Sequence, residues 1–302
     1  MTTGTVIPLY NSASFIYDLL YSILNQSQKI DQIVFVDDCS NDNTIIILES
    51  LLNEQVKQSI DIILIKNKKN MGVSNAFNLG LSELNSDFLF YSGHDDIWRP
   101  NRVQLSFERL CKGENFVHSH FKTFGIYDSI VTPASSSTDI AIGMLSQNLI
   151  GAITVAINVK DIGKNNIFYN SRYNGAEDYD LWTDLILSGH KPHCIEEILM
   201  DYRTSTNQLS RMFDYKSSPV IENIQIKYFN NLFPSSMLPY YELVKSISHI
   251  PVEQLNLIKI DAITQSHLIN IIKILESNSK SANPLIADIH LNIISRITSI
   301  FQ

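Results

Sequence analysis

The sequence is short of three things, and each shortage removes a class of protein. It has only 3 cysteines in 302 residues, Cys39, Cys111 and Cys194. Odd in number and widely spaced, they give neither a zinc-ligand pattern nor a disulfide framework, so a reducing, cytoplasmic setting is expected. Basic residues are scarce as well: 23 Lys and Arg against 31 Asp and Glu leave a net charge of −8. With no basic surplus to neutralise phosphates, nucleic acid is not an expected partner. Long apolar runs are missing too. No window approaches the roughly 20 apolar residues of a bilayer-spanning helix, so no transmembrane segment is expected. No basic segment precedes the first apolar run, and no signal peptide is read there.

What remains is the composition of a folded globular chain, 44% hydrophobic and 18% charged. The acid is not evenly spread. Residues 1–211 hold 16 Lys and Arg against 24 Asp and Glu, whereas residues 212–302 hold 7 of each. The excess negative charge therefore lies where a bound cation has a use for it. We divide the chain at this change of character, into a domain over 1–211 and a helical appendage over 212–302.

Thr5–Tyr10 reads as a strand stopping at Asn11-Ser12, which has helix-capping chemistry. Phe15, Ile16, Leu19, Leu20, Ile23 and Leu24 then recur at helical spacing. Gln32–Asp37 is a second strand, apolar on both faces as in a covered parallel sheet. Asp38–Asp42 turns into a helix to about Leu52, Ile60–Lys66 is a third strand, and Val73–Leu84 a third helix. Phe88–Tyr91 is a fourth strand, and a helix with Val103, Phe107 and Leu110 follows Trp98-Arg-Pro100. This order predicts an α/β fold with a doubly wound, mostly parallel sheet flanked by helices. Thr132–Asp139 is the clearest loop, Gly151–Asn158 a further strand, and Gly175–Ser188 a helix closed by Gly189. Amphipathic stretches around Leu255–Leu275 and along Ile286, Ile289, Ile293, Ile297 and Ile300 make the appendage. There are no internal repeats.

In such a sheet ligands bind beyond the carboxyl ends of the strands. Three predicted strand ends carry polar clusters: Pro8-Leu-Tyr-Asn11, Asp37-Asp-Cys-Ser-Asn-Asp42 and Gly93-His-Asp-Asp-Ile-Trp98. Aspartates brought together at one crevice repel unless a cation or hydrogen-bond donors offset them. Mg²⁺ or Mn²⁺ suits such a site, taking one or two carboxylates plus substrate phosphates. Taken singly, each cluster has a plainer reading as a helix cap, a solvated turn or a strand end.

Order and spacing together say more. Val6-Ile-Pro-Leu-Tyr-Asn11, Ser22-Ile-Leu-Asn-Gln26, Val36-Asp-Asp-Cys-Ser-Asn-Asp42 with Thr44, Asn70-Met-Gly-Val-Ser74 with Asn78, and Asp95-Asp-Ile-Trp98 resemble the family 2 glycosyltransferases of the GT-A fold. Gly175-Ala-Glu-Asp-Tyr-Asp-Leu-Trp182 and Asp201-Tyr-Arg203 through Ser210 are similar to that family's acceptor-side motifs. The resemblance covers residues 3–211. It implies an inverting sugar transfer from a UDP-, GDP- or dTDP-sugar to a saccharide or lipid-linked saccharide acceptor, as in bacterial surface polysaccharide synthesis. Pro8, Tyr10, Asn11, Asp38, Asn70 and Asp95 would hold the nucleotide, with Asp38 accepting from the base. Asp96, with Asp95, would face Mn²⁺ or Mg²⁺. Asp178 matches the catalytic base, with Glu177, Trp182 and Arg203 as acceptor-side support.

Three positions depart from the family pattern. Gly93 stands where many relatives have an acid, Phe77 where an Arg is common, and Thr204 or Ser205 where a His is frequent. The first leaves open a catalytically weak nucleotide-sugar-binding or assembly protein on the same fold. A nucleotidyltransferase, the other enzyme class with this layout, would offer a Gly-rich basic loop after the first strand. Tyr10-Asn-Ser-Ala-Ser14 has no Gly, Lys or Arg. The expected location is the cytoplasm, at the inner face of the membrane when the acceptor is lipid-linked. The apolar stripes of 212–302 predict helix packing within the chain, or between subunits of a homo-oligomer. The stretch lacks the cluster of about 4–8 Lys/Arg of anionic membrane targeting.

Overall fold

A computed structural model describes residues 1–52, 56, 59–206, 218–278 and 281–301. By its contacts the chain divides into two compact units. The first comprises Met1–Ser135, Ile150–Leu181 and His193–Asp214, the second Ser136–Leu149, Trp182–Pro192 and Tyr215–Gln302.

The first unit is built on a nine-stranded sheet. Its parallel half consists of β1 (Thr3–Leu9), β2 (Gln32–Asp37), β3 (Asp61–Lys66) and β4 (Phe88–Tyr91), in the order β3-β2-β1-β4. Between them run α1 (Ile16–Leu24), α2 (Thr44–Leu51) and α3 (Val73–Glu83). Alternation along β1 and β2 explains how both faces are covered. Ile7, Leu9, Ile33 and Phe35 join Leu19, Leu20, Ile23 and Leu48 in one core. Val6, Val34 and Val36 face Gly80 of α3 instead. A Cβ on Gly80 would lie 2.9 Å from Val36 Cγ2 and closer still to Val6 Cγ1. Only glycine lets that helix approach so far.

After β4 the sheet becomes mixed. The two-residue β5 (Ile97–Trp98) leads into α4 (Arg102–Cys111), followed by β6 (Phe116–Gly125) and β7 (Ser129–Val131). The expected strand at 151–158 is shorter, β8 (Ala156–Asn158), behind a 3₁₀ turn at Ala152–Thr154. It runs antiparallel to both β4 and β6. The twelve-residue strand β9 (His193–Thr204) pairs parallel to β6, and β5 lies antiparallel on its outer side. Sequence periodicity did not find β9, because Glu196, Glu197 and Asp201 interrupt its apolar positions.

The second unit is helical. The predicted loop at 132–139 ends early, because the Ser136 side chain accepts from Asp139 N and starts α5 (Ser137–Gly143). After α6 (Glu177–Leu187), of which only Trp182 onward belongs to this unit, come two helices that sequence reading missed, α7 (Pro219–Leu232) and α8 (Tyr241–Ser248). The stretch expected around 255–275 is a 3₁₀ turn at Val252–Leu257 and then α9 (Ala262–Ser277), capped by Asp261. Asn283 caps α10 (Pro284–Ile300), whose Ile289, Ile293, Ile297 and Ile300 are buried. Residues 136–149 belong here because polar bonds tie them to the C-terminal helices. Tyr228 Oη donates to Ala141 O, Gln225 Nε2 to Ser146 O, and Arg296 to Asp139 Oδ1 at 2.9 Å.

One residue of the first unit predicts a pH response. His118 on β6 is fully buried, and neither ring nitrogen has a hydrogen-bond partner among the described residues. Burial, then the neighbouring His120 and His193, hold its pKa down at about 4. The unfolded chain therefore takes up this proton first, so stability is full above about pH 6.5 and erodes as pH falls toward 4. The loss reaches about 3 kcal/mol at most. Urea unfolding of wild type and His118→Leu from pH 7 to pH 4 should show a flatter dependence in the variant; identical slopes would refute the assignment.

Candidate active site

The tips of β1 and β2 are laced to each other by side chains that a lone helix cap would have used locally. Asn11 N donates to Ser40 Oγ and Asn41 N to Asn11 Oδ1, at 2.9 and 2.8 Å. Ser12 N donates to Thr44 Oγ1 and Ala13 N to Asp42 Oδ2. Asp42 Oδ1 also receives Thr44 N, so Asp42, not Asp38, starts α2. The lacing holds Asn11 and Cys39 in left-handed backbone, with φ of 51° and 67°. Such conformations are uncommon outside glycine and concentrate at functional sites.

Asp38 is buried, and its carboxylate is already engaged. It receives Asn67 Nδ2 at 2.8 Å, Met71 N at 2.9 and 3.0 Å and Gly72 N at 2.8 Å. Its visible work is to hold the segment from β3 to α3, on which Asn70 accepts from Gly72 N. Pro8 lies one residue before the end of β1, while Tyr10 and Met71 are each 42% exposed beside these loops. A carboxylate offers about four acceptor positions. Met71 N reaches both oxygens, so each oxygen already takes two contacts.

The third tip, after β4, carries the acids. Asp95 is half-buried and Asp96 fully buried. Asp96 Oδ1 accepts from Arg203 N at 3.0 Å, while Oδ2 has no partner among the described residues. Burial, then the charge of Asp95, push the Asp96 carboxyl well above the usual carboxylate range, against the opposing pull of Arg203 and Arg102. Arg203, expected on the acceptor side, is bound to this acidic loop. Its Nε donates to Asp95 O at 2.9 Å, and its guanidinium lies between the rings of Phe15 and Phe124, 5.0 and 4.6 Å from their centroids.

Sequence reading missed Arg102. It is 1% exposed, 3.9 Å over the Trp98 ring, and donates to the carbonyls of Tyr91 and Ile153. Burial drives its pKa down to about 9, while Asp96 pulls it up. Trp98 is buried and also bonds, Nε1 donating to Ser92 Oγ at 3.0 Å.

Asp178 and Glu177 open α6. Glu177 is buried and its carboxylate turns back to accept from Gly175 N, with backbone N–H groups of Ala176 and Glu177 also acting on it. Burial raises its pKa nonetheless. Asp178 is half-buried and accepts from Tyr179 N at 2.8 Å. Burial, then the charge of Asp178, raises the Tyr91 phenol, and burial, then Tyr91 and Asp178, raises that of Tyr169. These two rings stack with Phe77 at 5.1 and 4.4 Å, so the position where relatives carry Arg is part of an aromatic cluster. Trp182 is fully buried, a packing residue. Ser210 and its neighbours lie outside the described residues.

No group of three or more His, Cys, Asp or Glu able to hold a metal is found among the described residues. Asp95 and Asp96 do fit an ion that draws its remaining ligands from phosphates and water, because a buried carboxylate oxygen without a donor suits a cation.

A mixed sheet of this order, with an acidic loop beyond the fourth strand, is the layout expected of the GT-A fold. The chain aligns over its whole length with Staphylococcus aureus TarS 1–349 in complex with UDP-GlcNAc, at 15% identity, covering 91% of that chain, with TM-score 0.62. It also matches the mannosyltransferase PcManGT of Pyrobaculum calidifontis in complex with GDP-Man and Mn²⁺, over 99% of this chain and 86% of that one, with 11% identity and TM-score 0.55. Residues 5–166 match the sequence profile of Glycosyl transferase family 2, and the chain belongs to that family. Among its relatives, TuaG of Bacillus subtilis, a glycosyltransferase assigned to teichuronic acid biosynthesis, is 28% identical over 68% of this chain and 81% of its own. The Escherichia coli glucosyltransferase WfaP, which acts from UDP-Glc on GlcNAc-diphosphoundecaprenol, is 26% identical over 81% of this chain and 94% of its own. No described helix is long and apolar enough to cross a membrane.

Proposed function

We propose that this glycosyltransferase moves a sugar from a nucleoside-diphosphate donor to an acceptor hydroxyl with inversion, in the assembly of a bacterial surface polysaccharide. The observation that carries the reading is the division of labour at α6. Glu177 is occupied by backbone N–H groups, which leaves Asp178 as the acid exposed enough to meet an acceptor.

In this reading the laced loops after β1 and β2, with Pro8, Tyr10, Asn11 and Asn70, form the nucleotide pocket, and Asp38 accepts from the base in place of one of its two contacts from Met71 N. Arg203 fixes Asp95 and Asp96 at the diphosphate. A Mn²⁺ or Mg²⁺ ion held by these two carboxylates would stabilise charge on the departing diphosphate. Asp178 takes the proton of the acceptor hydroxyl as that oxygen attacks the anomeric carbon from the face opposite the diphosphate. One displacement with one base gives inversion and no covalent enzyme intermediate. The relatives support a saccharide or lipid-linked saccharide acceptor, met at the inner face of the membrane.

A panel of UDP-, GDP- and dTDP-sugars, read by donor hydrolysis and thermal shift with Mn²⁺ or Mg²⁺, tests this. One nucleotide class should stabilise the protein and be hydrolysed, with most of the rate lost in EDTA. A full rate in EDTA would remove the metal from the scheme, and no response to any donor would remove the scheme.

A further inference from the structure

Gly93 contributes no carboxylate to the acidic loop, yet the space over its α-carbon is taken. A Cβ built there would fall well inside contact distance of Asp96 Oδ2 and 3.3 Å from Asp95 Oδ1. Both acids gather where a side chain at 93 would stand. Gly93 is not among the glycines with positive φ, so its backbone does not demand glycine. The requirement is for room.

The oxygen that uses this room is the unpartnered one. Asp96 is 1% exposed, and Oδ2 is buried with no hydrogen-bond donor among the described residues. Its sister oxygen is held by Arg203 N at 3.0 Å, which fixes the carboxylate plane. Arg102 is the nearby cation, but its Nη2 is spent on the carbonyls of Tyr91 and Ile153. Arg102 offsets charge without occupying Oδ2. Burying an oxygen without a donor is unfavourable, and a cation at that oxygen removes the penalty.

We propose that Gly93 is a positioning residue: by lacking a side chain it lets Asp96 lean over position 93 and present Oδ2, beside Asp95, to the divalent ion of the donor complex. The proposal rests on the glycosyltransferase reading of this loop and adds the origin of its second carboxylate. Its consequence runs against charge counting. A third carboxylate ordinarily favours a hard cation, but an Asp at 93 would displace the one already placed.

Mn²⁺ alone, titrated into wild type, Gly93→Ala, Gly93→Asp, Asp96→Asn and the double variant Gly93→Ala/Asp96→Asn, tests this by the EPR signal of the free ion. Thermal unfolding checks that each variant folds. Gly93→Ala and Gly93→Asp should each weaken Mn²⁺ binding by about tenfold or more. The double variant should be no weaker than Asp96→Asn, since both changes remove the same ligand. Three results overturn the proposal: Gly93→Asp binding as tightly as wild type, single effects that multiply, or wild type that binds no Mn²⁺. Should the Gly93 variants not fold, Asp96→Asn decides alone, and an unchanged affinity there overturns it. Wild type that turns over a donor while Gly93→Asp keeps its affinity sinks this inference only. The predicted ranking without turnover of any donor sinks the transferase reading instead.

Discussion

Asp178→Asn should transfer sugar about 10²–10⁴-fold more slowly than wild type while binding the donor unchanged. The substitution keeps the shape of the side chain and removes its ability to take a proton. Asp38, Asp95 and Asp96 are on other loops, so donor affinity has no reason to move. Glu177→Gln is the internal comparison. That carboxylate accepts from Gly175 N at the start of α6, a role the glutamine carbonyl keeps, so the variant should stay folded and leave transfer within a few-fold. Donor binding by calorimetry and turnover under saturating donor separate the two. A near wild-type rate in Asp178→Asn would show that the base has been misassigned.

The second large effect is expected at Asp38. Replacing it by Ala strips the acceptor from Asn67, Met71 and Gly72 at once. Hydrogen bonds to a charged group contribute about 1.5–3 kcal/mol each, and they do not add in full. We expect a loss of about 3–5 kcal/mol in the local stability of residues 67–72, with nucleotide affinity falling alongside. Hydrogen exchange at the Met71 and Gly72 amides reads the first part directly. Unchanged exchange at both amides would show that the clamp is not needed.

Much of this was legible beforehand because apolar runs and strand-end chemistry are local. β1, β2, β3 and β4 declared themselves by continuous apolar residues, and the acidic loop by its position after a strand. What stayed hidden depends on partners that leave no mark in sequence. Arg102 binds main-chain carbonyls, which every residue has, so nothing at Tyr91 or Ile153 announces a buried cation. Arg203 is visible as a charge, but that it serves Asp95 and Asp96 follows only from β9 lying beside β5. The pairing of β6 with β9 shifts register around His120, so neither strand keeps the regular alternation that would expose it. The helices at 219–232 and 241–248 have buried faces mixed with Gln225, Tyr228 and Ser248, which blurs the apolar stripe.

The approach of α3 to the sheet at Gly80 has a consequence for how a donor is met. The segment from Asn67 to Gly72 has Asp38 gripping it at both ends and leads into a helix pressed against Val6 and Val36. Fixing a backbone residue costs about 1–2 kcal/mol of conformational entropy, and here that loss falls in folding. An incoming nucleotide should find this wall already in shape. Its association should then be fast, with little protection gained by these amides on binding, and selectivity among bases should come from fit to a rigid surface.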